Sequence, residues 1–177
     1  TFANNSYERA MFEVCAHKWA DLSEGDYGVS IINDCKYGYD IWGSLMRITL
    51  MRGPVCPDPK GDLGINTFRY SLYPHADGWR KADTSHRAYE ENVALEAFFV
   101  EKGTGTLSEK SFIQLSKDNI VIDALKKAQD GNGLILRMFE AKSQRGEVTV
   151  ELPFANAKVI ECNMMEVDGK DIPSDGN

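Results

Sequence analysis

Apolar and polar residues alternate with a period of two along much of this 177-residue chain. No other feature constrains its fold as strongly, because only a pleated strand sends every second side chain to one face. In the run 12–16, Phe12, Val14 and Ala16 share a face against Glu13 and Cys15. Met46, Ile48 and Leu50 repeat the pattern against Arg47 and Thr49, and Phe68, Tyr70 and Leu72 against Thr67, Arg69 and Ser71. The apolar members are predicted to face a core and the others water. The segment from Met11 to Gly38 carries two such runs around an acidic, Gly-containing turn. The second run, Tyr27 to Ile32, ends in the polar cluster Asn33-Asp34-Cys35-Lys36-Tyr37-Gly38. A mainly β fold is predicted.

Departures from the alternation mark the connections. Pro54, Pro57 and Pro59 interrupt residues 53–64, each removing a backbone donor and disfavouring helix before it, so this stretch reads as a long loop. It is either a surface crossover or a functional loop. Residues 83–97 are the best helical candidate, a short helix near 84–97 capped by Thr84 or Ser85. The small, polar run Glu101-Lys-Gly-Thr-Gly-Thr-Leu-Ser108 is the predicted boundary, giving domains over 1–102 and 103–177. Beyond it, strands are predicted over 111–115, 120–125, 134–141, 147–152 and 158–164, separated by turn signals such as Asp130-Gly131-Asn132-Gly133. That spacing is the mark of a β-sandwich or barrel. Val167-Asp168-Gly169-Lys170 reads as one more hairpin tip, whose following strand is expected to be missing, leaving an edge through which the chain could associate with itself.

A net charge of −7 and a pI near 5 leave nothing to offset phosphate repulsion, which argues against a nucleic-acid partner. No apolar run approaches the roughly 20 residues of a membrane-spanning helix, so no membrane partner is expected. Cys15, Cys35 and Cys162 lie in or beside apolar strand patterns, where free cysteine behaves as a small hydrophobe. Together with Cys56 they are read as free thiols in a reducing, cytoplasmic setting.

Little catalytic chemistry is visible. With only His17, His75 and His86, no CxxC and no HExxH, the ligand count for a zinc site is not met, and no metal residues are assigned. His17 and Asp21 would share a face only on a helix, where the pattern reads strand. There is no GxSxG, and Cys15 with His17 is more simply edge composition than a nucleophile and base. Paired carboxylates of the glycosidase kind are harder to assess among 27 acidic residues. Asp34 stands out, at a strand end beside Asn33, Lys36 and Tyr37. That cluster could hydrogen-bond sugar hydroxyls, or Asn33 and Asp34 could bond their own backbone in a tight turn. Trp19, Trp42, Trp79 and the tyrosines could stack on sugars but more often build the core.

The chain resembles the C-terminal β-region of family 38 α-mannosidases of the cytosolic and bacterial type. The likeness is carried by Phe12-Glu13-Val14, the run Ala16 to Ser23, Gly28-Val29 and the run Asn33 to Gly38. It continues through Gly43-Ser44, Leu50-Met51-Arg52, Pro54, Pro57-Asp58, Phe68, Tyr70-Ser71-Leu72, Pro74-His75 and Trp79. The resemblance implies the end of a large galactose-mutarotase-like sandwich followed by a smaller β-sandwich. It implies a parent enzyme that hydrolyses terminal α-mannosides with retention, its zinc and aspartate nucleophile held in an N-terminal domain. On this reading no catalytic residue lies in this chain, the fragment alone is inactive, and it holds no cofactor. Its partners are its own N-terminal catalytic domain and a mannose-containing oligosaccharide, with Asn33, Asp34, Lys36 and Tyr37 as substrate-adjacent candidates. The alternatives are a free-standing carbohydrate-binding module without catalysis and, more remotely, a mutarotase-like epimerase.

Overall fold

The structure, a computed structural model, describes residues 5–101, 105, 109–154 and 158–173. It forms two compact units, Thr1–Phe98 and Phe99–Asn177. Most of the polar run 101–108, where the boundary was predicted, lies outside the described residues.

The first unit opens with a short helix α1 (Ser6–Ala10), whose Glu8 N–H is capped by the Asn5 side chain at 2.8 Å. Five strands follow: β1 (Val14–Cys15), β2 (Trp19–Glu24), β3 (Tyr27–Asn33), β4 (Gly38–Trp42) and β5 (Leu45–Ile48). A sixth strand, β6 (Tyr70–Ala76), and helix α2 (Thr84–Asn92) complete it. They make two antiparallel sheets, ordered β2-β3-β6 and β1-β4-β5. Two-residue turns close β2–β3 and β4–β5, and in the second Gly43 takes φ +57°, where a Cβ would be strained. Between the sheets lie buried Ala20, Ile31 and Tyr39, with Ala16, Met46 and Ile48 packed against them. Met46 and Ile48 thus point inward as their alternation predicts.

Two expectations about faces are corrected. In the run 12–16 only Val14 and Cys15 are strand, and Phe12 and Val14 are exposed. It is Glu13 that turns inward, accepting from the Thr49 hydroxyl and pairing with Arg52. In β6 the assignment is inverted. Tyr70 and Leu72 are exposed, whereas Ser71, Tyr73 and His75 turn inward under α2. The reason lies in the helix. Its buried side is Thr84, Ser85 and Ala88, and so small and partly polar a stripe fits closely over a polar sheet face.

Helix α2 is also shorter than predicted and is not capped by Thr84 or Ser85. Its N-cap is Asp83, in the left-handed region at φ 57° with no capping side-chain bond. It stops at Asn92, whose side-chain amide bonds the Ala88 and Asn33 carbonyls at 2.8 and 3.1 Å before Val93 turns extended. Residues 93–97 are not helical.

In the second unit the predicted order holds but the ladders are short. Here β7 (Gln114–Leu115) pairs with β10 (Val150–Glu151) and β11 (Ile160–Glu161) with β12 (Lys170–Asp171). Only the hairpin of β8 (Ile120–Lys127) and β9 (Leu134–Glu140) is long, with a bulge between Ile122 and Ala124. Val121 is its one described buried apolar side chain, so little packing extends the other strands. The strand expected to be missing after the last hairpin is present as β12, and Asp171 pairs with Lys158 at 3.0 Å. Asn163 shapes the turn between β11 and β12, accepting from the Met165 N–H at 2.9 Å and donating to Asp168 at 2.8 Å. The chain is mainly β, as its alternation indicates.

Candidate functional site

The end of β3 delivers Asn33 into the core, where it is 1% exposed. Its side-chain amide donates to the Tyr39 hydroxyl and its carbonyl oxygen accepts the Lys36 N–H at 2.9 Å. Its backbone is held at both ends, donating to the Lys18 carbonyl at 2.8 Å and accepting from Asn92 at 3.1 Å. Asn33 is therefore the internal strut of its own turn. Burial pushes the Tyr39 phenol up from its ordinary value, against the hydrogen bond from Asn33.

Asp34 faces the other way. The Cys35 thiol and then the Arg69 N–H, at 3.0 Å, donate to its carboxylate and hold its pKa below the ordinary 3.8. The same bond pushes the Cys35 thiol up. With the Asp34 N–H bonded to the Arg69 carbonyl at 3.2 Å, this residue staples the turn to the start of β6. Lys36 and Tyr37 differ from both. The Lys36 ammonium lies 5.3 Å from the Phe68 ring centre, and Tyr37, half exposed, meets the His17 ring at 4.7 Å. The four candidates thus split into two that build the turn and two that present aromatic and cationic surface.

A second polar cluster joins residues far apart in the sequence. Asp21 of β2, Ser30 of β3, His75 of β6 and Thr84 of α2 meet beneath the helix. Asp21 Oδ2 accepts from Ser30 Oγ at 2.8 Å and faces His75 Nε2 at 2.7 Å. Thr84 Oγ1 is 3.0 Å from Ser30 Oγ, and His75 Nδ1 donates to the Asp77 carbonyl at 3.0 Å. The His75 and Asp21 side chains are 3% and 4% exposed. Serine, histidine and aspartate together invite comparison with a hydrolase triad, but the geometry is wrong for one. In a relay the carboxylate and hydroxyl occupy opposite ring nitrogens. Here both sit on Nε2, the second contact being Ser30 Oγ at 3.3 Å, and substrate has no access. The cluster is a clasp joining three strands and a helix. Its one sequence trace is the polar spacing of Asp21 and Ser23, of Ser30, and of Ser71, Tyr73 and His75. Asp21 pairs with His75, fifty-four positions away, and not with His17.

Among the described residues no three His, Cys, Asp or Glu side chains gather as a metal-holding group. They do not fit the zinc that the resemblance places in the parent enzyme. All four cysteines are free. Trp19 and Trp79 pack together at 5.1 Å, but Trp42 stands 69% exposed at the β4–β5 turn, contrary to the expected core role. No helix of the described residues is long and apolar enough to cross a membrane.

With this geometry in hand, comparison with known proteins gives a consistent result. Residues 1–60 match the model of the glycosyl hydrolases family 38 C-terminal domain, and residues 119–176 that of the family 38 C-terminal beta sandwich domain. Alpha-mannosidase G of Dictyostelium discoideum is 38% identical over 176 residues, and Alpha-mannosidase 2C1 of Homo sapiens 33% over 169. Each alignment covers 94% of this chain and 16% of the relative. The Alpha-mannosidase of Saccharomyces cerevisiae is 39% identical over 135 residues, 76% of this chain and 12% of its own. A solved structure of a family 38 glycosyl hydrolase from Enterococcus faecalis superposes with a TM-score of 0.72, covering 87% of this chain and 20% of its own. At 19% identity that likeness speaks for the fold alone. Two family models met in order along one β-rich chain, and α-mannosidases aligned over nearly all of it, make this chain a member of glycoside hydrolase family 38, in the C-terminal region of that family.

Proposed function

We propose that this chain is the non-catalytic C-terminal β-region of an α-mannosidase of the cytosolic type. The enzyme releases terminal α-mannosyl residues with retention. Its zinc and nucleophile belong to the remaining polypeptide, which with the mannose-containing oligosaccharide is this region's partner. One observation carries the reading. The α-mannosidases that align with 94% of this chain are about six times as long, since it spans 16% of each.

The use of polar groups supports the same assignment. Asn33 and Asp34 are consumed in holding a turn, and Asp21, Ser30 and His75 are sealed under a helix. Within the turn, Lys36 and Tyr37 are the side chains available to a bound sugar. Retention requires two carboxylates about 5–5.5 Å apart, one of them attacking the anomeric carbon to give a covalent glycosyl-enzyme, and this work is assigned to the rest of the enzyme.

The test is stereochemical. The full polypeptide that carries this region, given an activated aryl α-mannoside, is expected to release α-mannose first, seen by proton NMR before mutarotation. Release of β-mannose first, or no hydrolysis of any α-mannoside, would refute the assignment.

A further inference from the structure

Of the three tryptophans only Trp42 is left exposed, and it stands among charges. In the sheet β1-β4-β5, Tyr39, Met46 and Ile48 face the core. Alternation therefore sends Asp40 and Trp42 of β4, with Leu45 and Arg47 of β5, to the outer side. The register sets Trp42 opposite Leu45 beside the turn Gly43-Ser44, and Asp40 opposite Arg47, to which it is joined as an ion pair. At the other end of β4, Gly38 presents no side chain. Thr49 Cβ and Glu13 Oε1 close over that position, 3.5 and 3.6 Å from where a Cβ would stand. Glu13 folds in here, accepting from the Thr49 hydroxyl and pairing with Arg52. From Trp42 to Gly38 the strand runs about 13 Å, long enough for a short chain of sugars.

Packing does not account for this side. Exposed ion pairs add little to stability. Two of them also make the surface unfit as the inner layer of a sandwich, since each would have to be stripped of water. The guanidinium is the more open half of each pair. The Arg47 and Arg52 side chains are 62% and 65% exposed, against 24% and 27% for Asp40 and Glu13. A guanidinium has five N–H donors and a carboxylate about four acceptor sites, so each pair, once joined, still holds donors and acceptors side by side. The Trp42 indole N–H has no partner among the described residues. Two positive and two negative side chains leave the surface without net charge.

We infer that this side of the first unit binds a neutral, α-mannose-containing oligosaccharide without cleaving it. The apolar C–H face of one hexose stacks on Trp42, and hydroxyls of that sugar and the next bond Asp40–Arg47 and then Glu13–Arg52. A pyranose has one such apolar face and a rim of hydroxyls that both donate and accept, and the surface offers an indole beside paired donors and acceptors to match. An anionic ligand would meet the two carboxylates. A protein partner would want an apolar centre from which charge is excluded, and here charged pairs adjoin the tryptophan. That the sugars are α-mannosyl residues rests on the proposal that the chain serves an α-mannosidase.

Titration of the 177-residue chain with a linear α-linked mannotriose, read by calorimetry and by tryptophan fluorescence, tests this. One saturable site is expected, with emission shifted to the blue as the sugar covers Trp42. Trp42→Ala should weaken binding at least about tenfold and leave the urea midpoint unmoved, because so exposed a side chain supports little packing. Arg47→Ala keeps the indole and should weaken binding several-fold, which gives a second arm if Trp42→Ala fails to fold. No saturable heat at millimolar mannotriose, or equal affinity in the parent chain and Trp42→Ala, would overturn the inference. Maltotriose bound in preference to mannotriose would overturn it too, the sugar being wrong. So would a blue shift that grows with chain concentration without sugar, because a second copy would then be the occupant. Hydrolysis of an aryl α-mannoside by the unsubstituted full polypeptide is scored separately. Hydrolysis without mannotriose binding by this chain refutes the sugar site alone, and binding without hydrolysis refutes the enzyme assignment alone.

Discussion

Replacing Asn33 by Ala separates a structural turn from a sugar-binding one. The substitution removes two side-chain hydrogen bonds, to the Tyr39 hydroxyl and from the Lys36 N–H, while the backbone bonds to Lys18 and Asn92 can persist. Tyr39 is fully buried, so its orphaned hydroxyl costs about 1–3 kcal/mol, and the half-buried Lys36 N–H adds about 0.5–1 kcal/mol. The first unit should therefore lose about 3 kcal/mol. With an m-value of about 2 kcal/mol/M its urea midpoint falls by about 1.5 M. Fluorescence of the Trp19–Trp79 pair, which lies within this unit, reports the transition. Tyr39→Phe leaves the Asn33 amide unpaired and should cost less. The double variant should fall short of the sum of the two by about 1–2 kcal/mol, the coupling expected for direct partners. Additive effects, or a midpoint unmoved within about 0.25 M, would refute the strut. Loss of activity in the full enzyme at unchanged midpoint would instead place Asn33 on the sugar.

Three further outcomes are expected. A Cβ at Gly28 would stand 2.4 Å from His75 Cε1 and 2.5 Å from Ser23 Oγ, and His75 is pinned by Asp21 and Asp77, so Gly28→Ala should destabilise the first unit by about 1–3 kcal/mol in urea melts, and a neutral effect would deny the close packing. Because its bond to Asp34 holds the Cys35 thiol up and only the thiolate is alkylated, Asp34→Asn should quicken iodoacetamide labelling of Cys35 but not of Cys56; an unchanged or slower rate would count against the bond. The Asp34 carboxyl is held below its ordinary 3.8 by Cys35 and Arg69, and the Glu166 carboxyl below 4.5 by Lys126 and the Gln129 N–H. Both contribute stability that is full above those ordinary values and is lost as pH falls through the depressed ones, so the urea midpoint should drop on acidification below about pH 4, and a rise there would have the wrong sign.

The parts of this fold legible in the sequence are those whose partner is near in the chain. The β2–β3 hairpin follows from alternation on either side of Gly25-Asp26, and β8–β9 from alternation around the Gly-rich turn at Gly131. The inner face of β6 was not legible. Tyr70 and Leu72 look like core residues, yet burial was decided by Thr84, Ser85 and Ala88, a small stripe on a helix that comes later. Local hydrophobicity carries no record of which face such a helix will choose. In the candidate site, the turn-forming habit of Asn33 and Asp34 was readable, but the buried Tyr39 hydroxyl and the Arg69 backbone that they engage were not. The Asp21–His75 contact joins strands whose pairing is set by sheet topology, so neither residue announces the other.

On the proposed reading, this region completes an α-mannosidase without performing its chemistry. Metal analysis of the purified 177-residue chain, together with a turnover assay on an activated aryl α-mannoside, tests it most directly. The 177-residue chain is expected to bind no zinc and to give no turnover above blank, with both present in the full polypeptide. Turnover by the isolated chain that a chelator abolishes would contradict it.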